Sequence, residues 1–92
     1  EAFVKAANIF REDGFYLKAM ALYKKILNIA PLEVNALISL AELNAEKGLV
    51  GNANENYLAA AEIYVKEGAT EKALDLYERI LKLTPFNISL KI

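Results

Sequence analysis

Residues 6–31 read AANIFREDGFYLKAMALYKKILNIAP, and residues 60–85 read AAEIYVKEGATEKALDLYERILKLTP. Laid over each other at an offset of 54, the two stretches share paired alanines (Ala6-Ala7 and Ala60-Ala61), an aromatic (Phe10, Tyr64) and a glycine (Gly14, Gly68). They go on to share an alanine (Ala19, Ala73), a tyrosine (Tyr23, Tyr77), an isoleucine (Ile26, Ile80) and a closing proline (Pro31, Pro85). Small residues let two helices approach closely, rings fill the space between them, and Gly and Pro mark the turns. The pattern encodes a helical array before it encodes an active site.

Working outward from these stretches gives an all-α chain of five helices. Phe3, Ala6, Ala7 and Phe10 fall at i, i+3, i+4 and i+7, one stripe of an amphipathic helix over about 2–13, which Gly14 ends. Leu17, Ala19, Leu22, Tyr23, Ile26 and Leu27 carry a second helix over about 16–29, stopped by Pro31. Leu37, Leu40 and Ala41 begin a third that ends at Gly48. Gly51 and Asn52 then read as a break and an N-cap, with Glu55 completing a capping box. Tyr57, Ala60, Ala61 and Tyr64 drive the fourth helix to Gly68, and Ala73, Leu76, Tyr77, Ile80 and Leu81 drive the fifth to Pro85. Residues 86–92 align with 32–38 as the start of a further helix, although Phe86, Ile88, Leu90 and Ile92 alternate with polar residues as a strand would.

With these residues in place the chain resembles the tetratricopeptide repeat family, whose 34-residue helix-turn-helix unit has aromatic and small residues at set spacings and a closing Pro. The resemblance covers almost the whole of the 92 residues as a single domain, with units of about 1–33, a shortened 34–53, and 54–87. It implies antiparallel helix pairs stacked in a right-handed superhelix, an α-solenoid. The chain departs from a regular array in two ways. A full second unit would place the third at an offset of 68 rather than 54, so one helix, containing Ala53, Tyr57, Ala60, Ala61 and Tyr64, has to act as the second helix of one unit and the first of the next. Asn44 also stands where Phe10 and Tyr64 supply rings, and is expected to be partly wet or bonded to a turn, or else to face a partner. The chain begins at Glu1 within a helical pattern, which suggests a fragment of something longer.

Composition narrows the function. Eleven basic and twelve acidic residues give a net charge of −1, without the dense basic patch a nucleic-acid binder uses. No apolar run approaches the length that spans a bilayer, so membrane insertion is not expected. The absence of Cys excludes disulfides and fits a reducing, cytoplasmic location. With neither His nor Cys, the commonest general base, metal ligand and strong nucleophile are missing, and Glu12-Asp13 and the Glu62/Lys66 pair are ordinary features of a solvated helix surface. The four glycines are isolated, so no phosphate loop or dinucleotide fingerprint forms. The expectation is a non-enzyme without metal or cofactor. The rings Phe3, Phe10, Tyr23, Tyr57, Tyr64 and Tyr77 lie on the packing stripes and belong to the core.

The resemblance also names a binding face. In the family, the line of side chains about 100° from the packing stripe of each first helix faces a groove. Here that line is Val4, Asn8 and Arg11; then Asn35, Ile38 and Glu42; then Glu55, Leu58 and Glu62. The Lys/Asn/Arg clamp by which some family members hold a carboxylate tail is largely missing: Asn8 fits, but Val4, Ser39, Glu55 and Ala59 stand in the other places. The expected partner is a protein segment with small apolar anchors and Lys or Arg near Glu42 and Glu62. The alternative is a regulatory or oligomerisation segment of a larger protein with no groove ligand, self-associating through apolar surface at Leu74, Leu83, Phe86 and Ile88.

Overall fold

The structure, a computed structural model, describes residues 2–83, with side chains from Lys5 onward. The side chains of Phe3 and Val4, and the expectations for Pro85 and residues 86–92, lie outside the described residues. Five helices follow one another: α1 (Ala2–Glu12), α2 (Tyr16–Ile29), α3 (Val34–Glu46), α4 (Val50–Lys66) and α5 (Thr70–Leu83). There is no strand among the described residues. Each helix packs on the next, and α1 also touches α3. The extents of 41 × 30 × 19 Å fit a slab about two helix diameters thick.

Three of the four turns are built alike. Gly14, Gly48 and Gly68 have φ of 87°, 81° and 81°, the left-handed conformation that costs a residue with a Cβ about 1–2 kcal/mol. Each lets the next amide reach back five residues: Phe15 donates to the Phe10 carbonyl, Leu49 to Asn44 and Ala69 to Tyr64, all at 2.8 Å, which is the long bond of a Schellman turn. The same three residues then open the following helix, their carbonyls accepting from Ala19 at 3.0 Å, Ala53 at 2.9 Å and Ala73 at 3.1 Å. Those alanines are almost fully buried, because the helices cross too closely there for a larger side chain. The remaining turn, between α2 and α3, contains Pro31, and the amide of Ala30 donates to the Ile26 carbonyl at 2.7 Å.

This turn geometry corrects the start of the fourth helix. Gly51 and Asn52 lie in the first turn of α4, the N-cap position is Leu49, and no side chain caps it. The expected Asn52/Glu55 capping box therefore does not form. The Gly48 turn hands the chain straight into helix, just as the Gly14 turn hands it to Tyr16.

Two core clusters share α3. Ala7, Ala19, Tyr23 and Ile26 pack with Ala36, Leu40 and Leu43 on one side of it. Leu37 and Ala41, on the other side, pack with Ala53, Tyr57, Ala60, Ala61, Ala73 and Leu76. Burying a Leu, Ile or aromatic side chain contributes about 1.5–3 kcal/mol, so α3 is held from both flanks. Tyr23 and Tyr57 are buried, and Phe10, Tyr64 and Tyr77 pack on the cluster edges, as core rings rather than a ligand cage.

Asn44 is also corrected. It is 3% exposed, neither wet nor turned to a partner, and its Nδ2 donates to Asn56 Oδ1 of α4 at 2.8 Å. Its Oδ1 is buried without a hydrogen-bond partner. An amide at a position otherwise held by a ring thus becomes a polar link between α3 and α4.

Candidate functional site

Glu42 is the point at which three helices meet. One of its carboxylate oxygens accepts from Arg11 Nη1 of α1 at 2.9 Å, and the other from Arg79 Nη1 of α5 at 3.2 Å. Arg11 uses its second terminal nitrogen on Glu46 Oε2, also at 2.9 Å. Glu42 and Glu46 are one turn apart on α3 and would repel each other, but the fork of a guanidinium matches two carboxylates at that spacing. Burial alone lowers the Arg11 pKa. The hydrogen bonds to Glu46 and Glu42 outweigh it, so the guanidinium stays above its usual range and charged. Burial lowers Arg79 in the same way, and Tyr57, Asp75 and Glu42 raise it to a net upward shift. The Arg79 guanidinium lies 5.9 Å from the centre of the Tyr57 ring and bonds to Asp75 at 3.4 Å within its own helix.

Two cavities flank this carboxylate. The larger, about 510 Å³, lies between α1 and α3 and is lined by Asn8, Arg11, Glu12, Tyr16, Ser39, Glu42 and Glu46. Asn8 is fixed there because its Oδ1 accepts from the buried Tyr23 hydroxyl. The second, about 360 Å³, lies between α3 and α5, where Ile38, Tyr64 and Leu76 supply apolar wall and Glu42, Glu71, Lys72, Asp75 and Arg79 supply charge.

Of the residues the sequence proposed for a groove, Asn8, Arg11 and Glu42 come together on the first cavity, and Ile38 joins Glu42 on the second. Asn35 is exposed on α3 and lines neither. Val4 lies in α1 with its side chain outside the described residues. The α4 trio is elsewhere: Glu62 lines a third cavity of about 310 Å³ with Pro31, Leu37 and Ile63, and Glu55 and Leu58 are solvent-exposed. The helix α5 packs on α4 and reaches α3 through Arg79, whose bond to Glu42 puts an α5 side chain where an α4 one was expected.

Glu46, Arg79, Asp75 and Lys72 are additions to the sequence reading. Glu46 carried a signal, since it lies i+4 from Glu42. The other three depend on where α5 packs, which helical periodicity does not encode. Among the described residues no group of three or more carboxylates is arranged to hold a metal ion, and no helix is long and apolar enough to cross a membrane. Neither the known family models nor the curated proteins match this chain.

Proposed function

We propose that the chain is a tetratricopeptide-like helical repeat, its antiparallel helix pairs forming part of a right-handed superhelix, and that it acts as a non-catalytic protein interaction module in the cytoplasm. The ligand is a protein segment, apolar with Lys or Arg, lying across α3 along the two cavities that meet at Glu42. The observation that carries this reading is the acid-rich first cavity, where Glu12, Glu42 and Glu46 face a single Arg11 beside an orientationally fixed Asn8. Ile38 and Leu76 in the second cavity give apolar anchors a place to lose water. Since Arg11 and Arg79 already hold Glu42, and Arg11 also holds Glu46, the charge left for a partner is chiefly at the exposed Glu12.

Titration of the isotope-labelled chain with a short peptide alternating lysine and leucine tests this. Amide shifts are expected at Asn8, Ser39 and Glu46, and Glu12→Lys should weaken binding roughly tenfold. Shifts confined to Glu55 and Leu58 on α4 would refute it.

A second reading, an oligomerisation segment of a larger protein, is favoured by one observation: Leu74 and Leu81 on α5 are 55% and 50% exposed. Concentration-dependent sedimentation abolished by Leu74→Ser/Leu81→Ser is its expected signature.

A further inference from the structure

The end of the molecule formed by the α1–α2 and α3–α4 turns differs in chemistry from the groove. A cavity of about 470 Å³ opens there, lined by Gly14, Phe15, Tyr16, Leu17, Lys18 and Lys47, with no carboxylate on its walls. Leu17 is 81% exposed and Phe15 51%, and Leu49, next to the Lys47 turn, is 43% exposed. Phe15 and Leu17 border the cavity together, so they form an exposed apolar patch rather than one stray side chain.

The lysines are placed by rings. Lys18 Nζ lies 5.9 Å from the centre of Phe10 and 5.2 Å from that of Phe15, and these two rings meet edge to face at 6.4 Å. Lys47 Nζ lies 4.6 Å from the centre of the Tyr16 ring. A cation over a ring face keeps its N–H donors, so both ammonium groups are held beside the apolar cavity and remain able to take an acceptor.

We propose that this end is a second docking surface, one that takes an extended acidic protein segment: an apolar side chain of the partner lies against Phe15 and Leu17, and a carboxylate reaches Lys18 and Lys47. Charge complementarity selects the occupant, because two cations and no anion border the apolar wall. A flat anionic lipid surface fits less well, since the exposed Glu12 and Asp13 immediately precede Gly14 of the same turn. The surface shares only Tyr16 with the groove described above, so the two can fail separately.

The test is fluorescence anisotropy of a labelled, acetylated peptide alternating aspartate and leucine, titrated with the whole chain. Saturable binding is expected, weakened roughly tenfold or more by Lys18→Glu/Lys47→Glu and also by Leu17→Ser. Helical circular dichroism is checked for each variant, and the exposed Leu17→Ser serves if the charge reversals disturb folding. Lys82→Glu, at an exposed position on α5 that lines neither surface, should leave binding unchanged. Absence of binding, indifference to the lysine and leucine substitutions, or an equal loss of binding by Lys82→Glu would overturn the proposal. So would binding of phosphatidylserine vesicles without binding of the peptide.

Discussion

Arg11 and Arg79 hold the two oxygens of one carboxylate, so that Glu42 ties α1 and α5 to α3 from opposite sides. The three side chains are 23%, 42% and 35% exposed, which places the network between a screened surface pair and a desolvated one. Glu42→Ala should therefore lower the unfolding free energy in urea by about 1–2 kcal/mol. The loss should shrink in about 1 M salt, where the Debye length falls to about 3 Å. An effect of the same size at low and high salt would point to packing instead.

Tyr57 gives the fold a pH limit on the alkaline side. Burial pushes its phenol above the ordinary value of about 10, and Arg79 beside it only partly pulls it back. The folded chain thus keeps this proton when the unfolded chain has already released it. Its contribution is complete below about pH 10 and is lost as pH rises through the elevated value. Urea midpoints measured from pH 9 upward should fall more steeply for the wild type than for Tyr57→Phe. Parallel curves would remove Tyr57 from the account.

The amide pair between α3 and α4 should respond asymmetrically. Asn56→Ala leaves Asn44, 3% exposed, without its acceptor, and an unsatisfied buried amide costs about 1–3 kcal/mol. Adding Asn44→Leu removes the stranded group at similar volume and should restore most of that loss. A double variant no more stable than Asn56→Ala would show that the site needs the amide itself.

The glycines at the α3–α4 junction should respond in opposite directions. Gly51 lies inside α4 without a positive φ, with open space where a Cβ would stand, so Gly51→Ala should add about 0.5–1 kcal/mol to stability. Gly48 has open space too but a φ of 81°, and Gly48→Ala should cost about 1–2 kcal/mol. Thermal midpoints moving the same way for both would contradict the turn geometry.

Much of the fold was legible in the sequence because small and aromatic residues recur with the periodicity of packed helices. Ala19, Ala53 and Ala73 repeat in step with Gly14, Gly48 and Gly68, and the structure buries each alanine at the start of a helix. The α4 boundary was missed because Gly51 reads as a breaker, and Leu49, an apolar N-cap, gives no local signal. The register did hold the answer: adding the 34 residues between Gly14 and Gly48 to Tyr16 gives Val50, the observed start. The candidate site was only half legible. Asn8, Arg11 and Glu42 follow from the face that the resemblance implies, whereas Arg79 depends on where α5 packs. Asn44 misled for a related reason, since its partner Asn56 is on another helix.

The double burial of α3 means that the chain has no internal seam. Its first two helices and its last two rest on opposite flanks of one rod, so neither pair keeps its floor if that rod is cut away or melts. A protease nick within 34–46 would release both halves together, whereas an array of self-contained modules would surrender them one at a time.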